Sequence, residues 1–103
     1  MKMLSLFKGE IEVPDPSSTM RSIVYDVAKR HGITPEDIVG HDRSHRFTHP
    51  RQEAMWLMRE VRLSDGRQRW SLPRIAAHLG NRDHTTVLHG VRAHQKRLEA
   101  ANG

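Results

Sequence analysis

The chain has 103 residues, enough for one domain around one modest core. It has no cysteine, which excludes disulfides and thiolate metal sites, and no apolar run of membrane-spanning length. The formal net charge is +5, and charged residues make up 28% against 36% apolar, the balance of a small, surface-rich helical domain rather than a large-cored enzyme. The charge is unevenly placed: residues 1–40 carry five Lys/Arg against six Asp/Glu, and residues 41–103 carry twelve against six. The C-terminal part is therefore where an anionic partner such as nucleic acid is expected. The apolar start, Met1 to Phe7, is too short for a secretory leader, so a cytoplasmic location is expected.

Residues 1–17 show no clear periodicity, and Pro14-Asp15-Pro16 breaks any element before it. They are expected to be a tail or extension, with the domain proper over 18–103 and no strand of useful length. Ser18 or Thr19 can cap a helix running to about His31, with Gly32 as its stop and Ile23, Val24, Val27 and Ala28 on one face. Thr34-Pro35 starts a short helix that ends at Gly40. Residues 41–49 are polar and basic. Thr48 is expected to cap a long helix over about 49–62, with Pro50 in its first turn and Ala54, Leu57, Met58 and Val61 facing inward. Residues 63–70 read as a loop. Ser71 caps a helix carrying Leu72, Ile75, Ala76 and Leu79, and a last helix follows Asp83 to about Ala100. The pattern predicts an all-α domain of five or six helices with a C-terminal helix-turn-helix.

The run Gly80-Asn81-Arg82-Asp83-His84-Thr85-Thr86-Val87-Leu88-His89 is the most informative stretch. Gly80 suits a left-handed helix stop, Asp83 suits an N-cap, and His84, Thr85 and Thr86 fall in the first turn, where a recognition helix meets the major groove. The run resembles the signature of the DNA-binding C-terminal domain of the bacterial replication initiator DnaA, and the resemblance spans roughly 18–98. It implies that Asp83, His84, Thr85, Thr86 and Leu88 face bases and that His89 lies near the backbone. It also implies DNA contacts from Pro73 and Arg82. Arg43 matches a basic residue that enters the minor groove, and Arg59 matches a further basic position. Pro50-Arg51-Gln52 matches a family Pro-Arg-Gln, and a helix start with Arg and Gln is a natural phosphate site. Double-stranded DNA is thus the implied partner.

This chain departs from the family in three places. Asn81 replaces a usual second glycine, which a residue tolerant of left-handed backbone can do. The 63–70 connection is longer than the usual one. His41, Asp42, His45 and His49 stand where more fixed positive charge is expected, which implies binding that tightens as pH falls.

Other chemistries fare worse. His41, His45 and His49 recur every four residues, a zinc-like spacing, but Ser44 and Thr48 interrupt helical propensity and cysteine is absent, so no metal is expected. No nucleotide-binding phosphate loop, cysteine nucleophile or convincing carboxylate pair is present, so neither enzymatic activity nor a cofactor is expected. DnaA proteins also carry an ATPase module, for which 103 residues leave no room. A chain of this kind is expected to occupy initiator sites. The alternative is an adaptor that binds the full-length initiator or its regulators through residues 1–17 or the altered basic segment.

Overall fold

A computed structural model describes residues 3–4, 12–14 and 17–102. Most of the expected tail over 1–17 lies outside the described residues. Two short strands fall within it, β1 (Met3–Leu4) and β2 (Glu12–Val13), paired antiparallel with Met3 opposite Val13. Each strand is only two residues long, so the described fold is all-α, with no strand of useful length among the described residues. The rest is helical: α1 (Met20–His31), α2 (Pro35–Val39), α3 (His45–Glu60), α4 (Leu72–His78) and α5 (His84–Asn102).

The local chemistry of the caps sets most of these boundaries. Thr19 and Ser22 form a reciprocal capping box at the start of α1, and Gly32 ends the helix at φ 68°. Thr34 and Asp37 repeat the device for α2, with Pro35 in its first turn. The Ser71 hydroxyl accepts from the Arg74 N–H at the start of α4.

The long helix starts earlier than the expected 49. Ser44 is its N-cap, and its carbonyl accepts from the N–H groups of Phe47 and Thr48. The Asp42 carboxylate in turn receives the Ser44 N–H at 2.8 Å. This Asx-type turn begins the helix one turn before Thr48, which becomes an interior residue. Pro50 sits inside the helix, where it has no N–H to donate and its ring crowds the Arg46 carbonyl one turn earlier.

α3 is the hub of the fold. Five consecutive residues, Ala54 to Met58, are buried, so the helix has no dry and wet side there but is covered all round. α1, α2, α4 and α5 all pack on it. Ile23, Val24, Val27, Ile38, Ile75, Leu79 and Val87 close the core from those helices. α5 comes closest at Gly90, where an added Cβ would lie 2.4 Å from Met55 Sδ. No described helix is long and apolar enough to cross a membrane.

Residues 61–70 form a small hairpin rather than an open loop. Arg62 and Gln68 make an antiparallel bridge, and the Arg69 N–H donates to Val61 O. Leu63 and Arg67 close the turn, with Gly66 at φ 89°. Trp70 is buried and ties the hairpin to the core.

A polar cluster joins α1, α3 and α5. Glu53 accepts from Arg30 and lies 2.7 Å from His31 Nε2. The His94 ring packs against Trp56, whose indole donates to Gln95. Desolvation, with Arg97, Arg30 and His31 nearby, holds His94 below its ordinary value of 6.5, against a smaller upward pull from Glu53. A histidine lowered in the folded state favours folding when neutral. Its contribution is full above about 6.5 and is lost as pH falls through the folded-state value, because the unfolded chain binds the proton more readily. The urea midpoint is therefore expected to drop between pH 7.5 and 5.5, and His94→Gln is expected to flatten that dependence. An equal drop in the variant would put the titration elsewhere.

Candidate nucleic-acid interface

α4 and α5 are joined by a tight turn built on two consecutive left-handed residues, Gly80 (φ 82°) and Asn81 (φ 56°). The Arg82 N–H reaches back to Ala76 O at 3.0 Å and the Asn81 N–H to Ala77 O at 3.4 Å, which gives partners to late carbonyls of α4. The Arg82 guanidinium donates to Val39 O at 3.1 Å and also to Leu79 O and Gly40 O. One side chain thus ties the end of α2 to the turn that launches α5.

α5 then opens with four exposed residues, Asp83, His84, Thr85 and Thr86. Asp83 Oδ1 accepts from the Thr85 N–H and the Thr85 hydroxyl, both at 2.8 Å. These bonds hold the Asp83 carboxyl below the usual carboxylate value, so it is an acceptor at neutral pH. The Thr85 hydroxyl is committed to this cap, whereas its methyl is not. His84 Nδ1 lies 3.5 Å from Asp83 Oδ1. Leu88 is half-buried and His89 exposed on the next turn.

Beside this turn lies an open hollow of about 350 Å³ lined by His41, Arg43, Thr48, Arg51, Gln52, Met55, Arg82, Thr86 and Gly90. It brings together the α2–α3 connection, the middle of α3 and the first turns of α5. Its lining carries three arginines and no carboxylate. Gln52 Oε1 is buried there without a hydrogen-bond partner among the described residues. Arg43 is exposed immediately before the Ser44 cap, on the short connection between α2 and α3.

The cations differ from what the chain order suggests. Arg51 does not stand at a helix start, because α3 begins at His45. It is 5% exposed and donates to Ile38 O at 2.6 Å, Asp37 O at 3.0 Å and Asp42 O at 3.1 Å. Two of these are late carbonyls of α2, which a helix end leaves without partners. Arg51 is thus a clamp that forms part of the hollow's wall, and Arg82 completes the same clamp on Val39 and Gly40. Pro50 is likewise buried, whereas Gln52 reaches the hollow. Arg59 donates to Trp70 O at 2.9 Å and lies at the far end of α3, away from the hollow. Pro73 is exposed in the first turn of α4.

His45 and His49 stack on each other, with ring centroids 4.7 Å apart and planes 15° apart. They lie on the α3 face that also carries Thr48 and Gln52. Desolvation first, then Arg97 and His45, hold His49 below 6.5. A phosphate at this face would reverse that pressure, so the sign for DNA binding follows: a bound form with a higher value takes up protons, and affinity rises as pH falls. His49→Gln is expected to weaken the pH dependence of DNA affinity between 7.5 and 5.5, read by anisotropy. An unchanged dependence would remove His49 from the interface.

Two helices joined through a five-residue connection, with the second opening on exposed polar side chains, define a helix-turn-helix domain of the DNA-binding type. The chain belongs to the bacterial DnaA protein helix-turn-helix family, whose model matches residues 20–93. It is 40% identical over 78 residues to a chromosomal replication initiator protein DnaA of Thermus thermophilus, covering 76% of this chain and 16% of that protein. It is 42% identical over 77 residues to the DnaA of Neisseria meningitidis, 75% of this chain and 14% of that protein. The DnaA of Ruegeria sp. is 39% identical over 74 residues, 72% and 14%. The chain thus matches about a sixth or less of the length of these relatives.

Proposed function

We propose that this chain binds duplex DNA at sites like the boxes of the replication initiator and acts there in the regulation of replication initiation or transcription. The observation that supports this best is the exposed first turn of α5, with Asp83, His84 and Thr86 presented by a turn that Arg82 clamps to α2. An ionised carboxylate accepts from cytosine N4, threonine methyls meet the thymine methyl, and His84 bonds base edges through its ring nitrogens. Arg43, beside the hollow, suits the adjacent minor groove, where A·T-rich sequence concentrates negative potential. Occupancy of a shared box would compete with the initiator directly.

Anisotropy titrations with box-containing and scrambled duplexes test the reading. Wild-type protein is expected to prefer the box, and Thr86→Ala or His84→Ala should each reduce that preference by about 1–3 kcal/mol with helicity unchanged. Equal affinity for both duplexes would overturn sequence-specific binding. Absence of binding at low salt, with capture of the initiator, would favour the adaptor instead.

A further inference from the structure

The hairpin over 61–70 carries arginines that the site above does not use. Arg62 and Arg67 are exposed on it, and Arg74 is exposed in the first turn of α4, which the hairpin leads into. Arg67 is paired with Asp65 at 2.7 Å. Among the described residues, neither Arg62 nor Arg74 forms an ion pair.

The hairpin is braced, not loose. Besides its own bridge, Gln68 donates to Arg59 O, Arg59 donates to Trp70 O, and Arg69 donates to Ser18 O while lying over the Trp70 ring at 4.8 Å. Burial first, and then the charge of Arg62, hold the Arg59 guanidinium below its ordinary value. The hairpin thus places Arg62 near the half-buried Arg59, a local excess of positive charge that suits an anionic partner.

The position within the fold identifies that partner. α4 has the hollow beyond its C-terminal end, through Arg82, and the hairpin before its N-terminal end. Seven residues of helix span about 10 Å, close to the roughly 12 Å width of the major groove. In a helix-turn-helix the first helix crosses the backbone beside the groove that the second enters. The two basic clusters then fall on opposite edges of that groove.

We propose that the 61–70 hairpin, through Arg62, together with Arg74 in the first turn of α4 that follows it, is a second phosphate-gripping surface. It holds the duplex backbone on the edge opposite the hollow and lengthens the DNA footprint without reading bases. This rests on the duplex-binding reading above. The grip is partly held in check by Asp65, which neutralises Arg67 within the turn.

The test uses salt titrations of the full chain on a box duplex trimmed close to its core and on duplexes extended on either side by a helical turn, about 10 base pairs. Arg62→Ala/Arg74→Ala is expected to reduce the magnitude of the log K against log salt slope by about two on the duplex extended on one side. It should lower affinity for box and scrambled extended duplexes by the same factor, and leave the trimmed duplex and the melting temperature unchanged. Asp65→Asn keeps an acceptor for the Arg67 N–H and removes the neutralising charge, so it is expected to steepen the slope by about one. Wild-type slopes retained by both variants on every extended duplex would overturn the proposal, as would an equal loss on the trimmed one. A wild type that fails to prefer the box, with the slope changes intact, would overturn sequence-specific binding and leave the hairpin grip standing. Absence of binding to any duplex at low salt would overturn both.

Discussion

Arg51→Met is expected to destabilise the fold by about 4 kcal/mol, measured by urea unfolding, before any effect on DNA is considered. Methionine replaces the stem but none of the three donors that meet Ile38, Asp37 and Asp42. Hydrogen bonds to charged groups contribute about 1.5–3 kcal/mol each, and carbonyls left without a partner in a covered site add a desolvation cost. Arg51→Lys should recover less than half of the loss, because one ammonium cannot reproduce a planar fork toward several acceptors. Burial first, and then the nearby Arg82, hold the Arg51 guanidinium below its ordinary value, so its charge depends on those carbonyl acceptors. A variant that unfolds like wild type but loses one unit of salt slope would make Arg51 a phosphate ligand instead.

The next largest effect is expected at the turn. Gly80→Ala should cost about 3 kcal/mol. A non-glycine residue in left-handed backbone loses about 1–2 kcal/mol, and its Cβ would stand 2.5 Å from Val39 O, a backbone atom that cannot swing aside. Asn81→Gly in the same turn should change stability by no more than about 0.5 kcal/mol, since Asn already tolerates that conformation. Thermal melts of the two variants side by side measure the contrast. A Gly80→Ala variant as stable as Asn81→Gly would show that neither the left-handed backbone nor the close approach of Val39 O constrains this position.

Much of the helical frame is legible in the sequence because caps are local. Thr19, Thr34 and Ser71 meet backbone groups three residues away, and Gly32 stops α1 by its own φ. The exposed run from Asp83 to Thr86 is readable for the same reason. What fails is non-local. The acceptors of Arg51 lie 9 to 14 residues away and those of Arg82 up to 43, so nothing adjacent in the chain marks either arginine as a clamp. Arg59 is likewise held by the carbonyl of Trp70, across the hairpin. Ser44 is missed as a helix start because Asp42 supports it through a backbone turn while Thr48 offers the more conspicuous side chain. Gly90 looks like a poor helix residue until Met55 is seen against it.

The Arg82 clamp also fixes a phase. Arg43 stands three residues beyond Gly40, and Gly40 is held by the same guanidinium that sits one residue before Asp83. If Arg43 probes one groove while Thr86 probes the other, the two probes move as one body. Sliding the protein by a single base pair shifts both by about 3.4 Å and turns them by about 35° on the duplex. Neither can lag to keep its old contact. A target whose A·T block is displaced by one step from its remaining bases should therefore be rejected almost as firmly as one lacking the block, and the permitted spacing between the two parts of the site becomes a single integer.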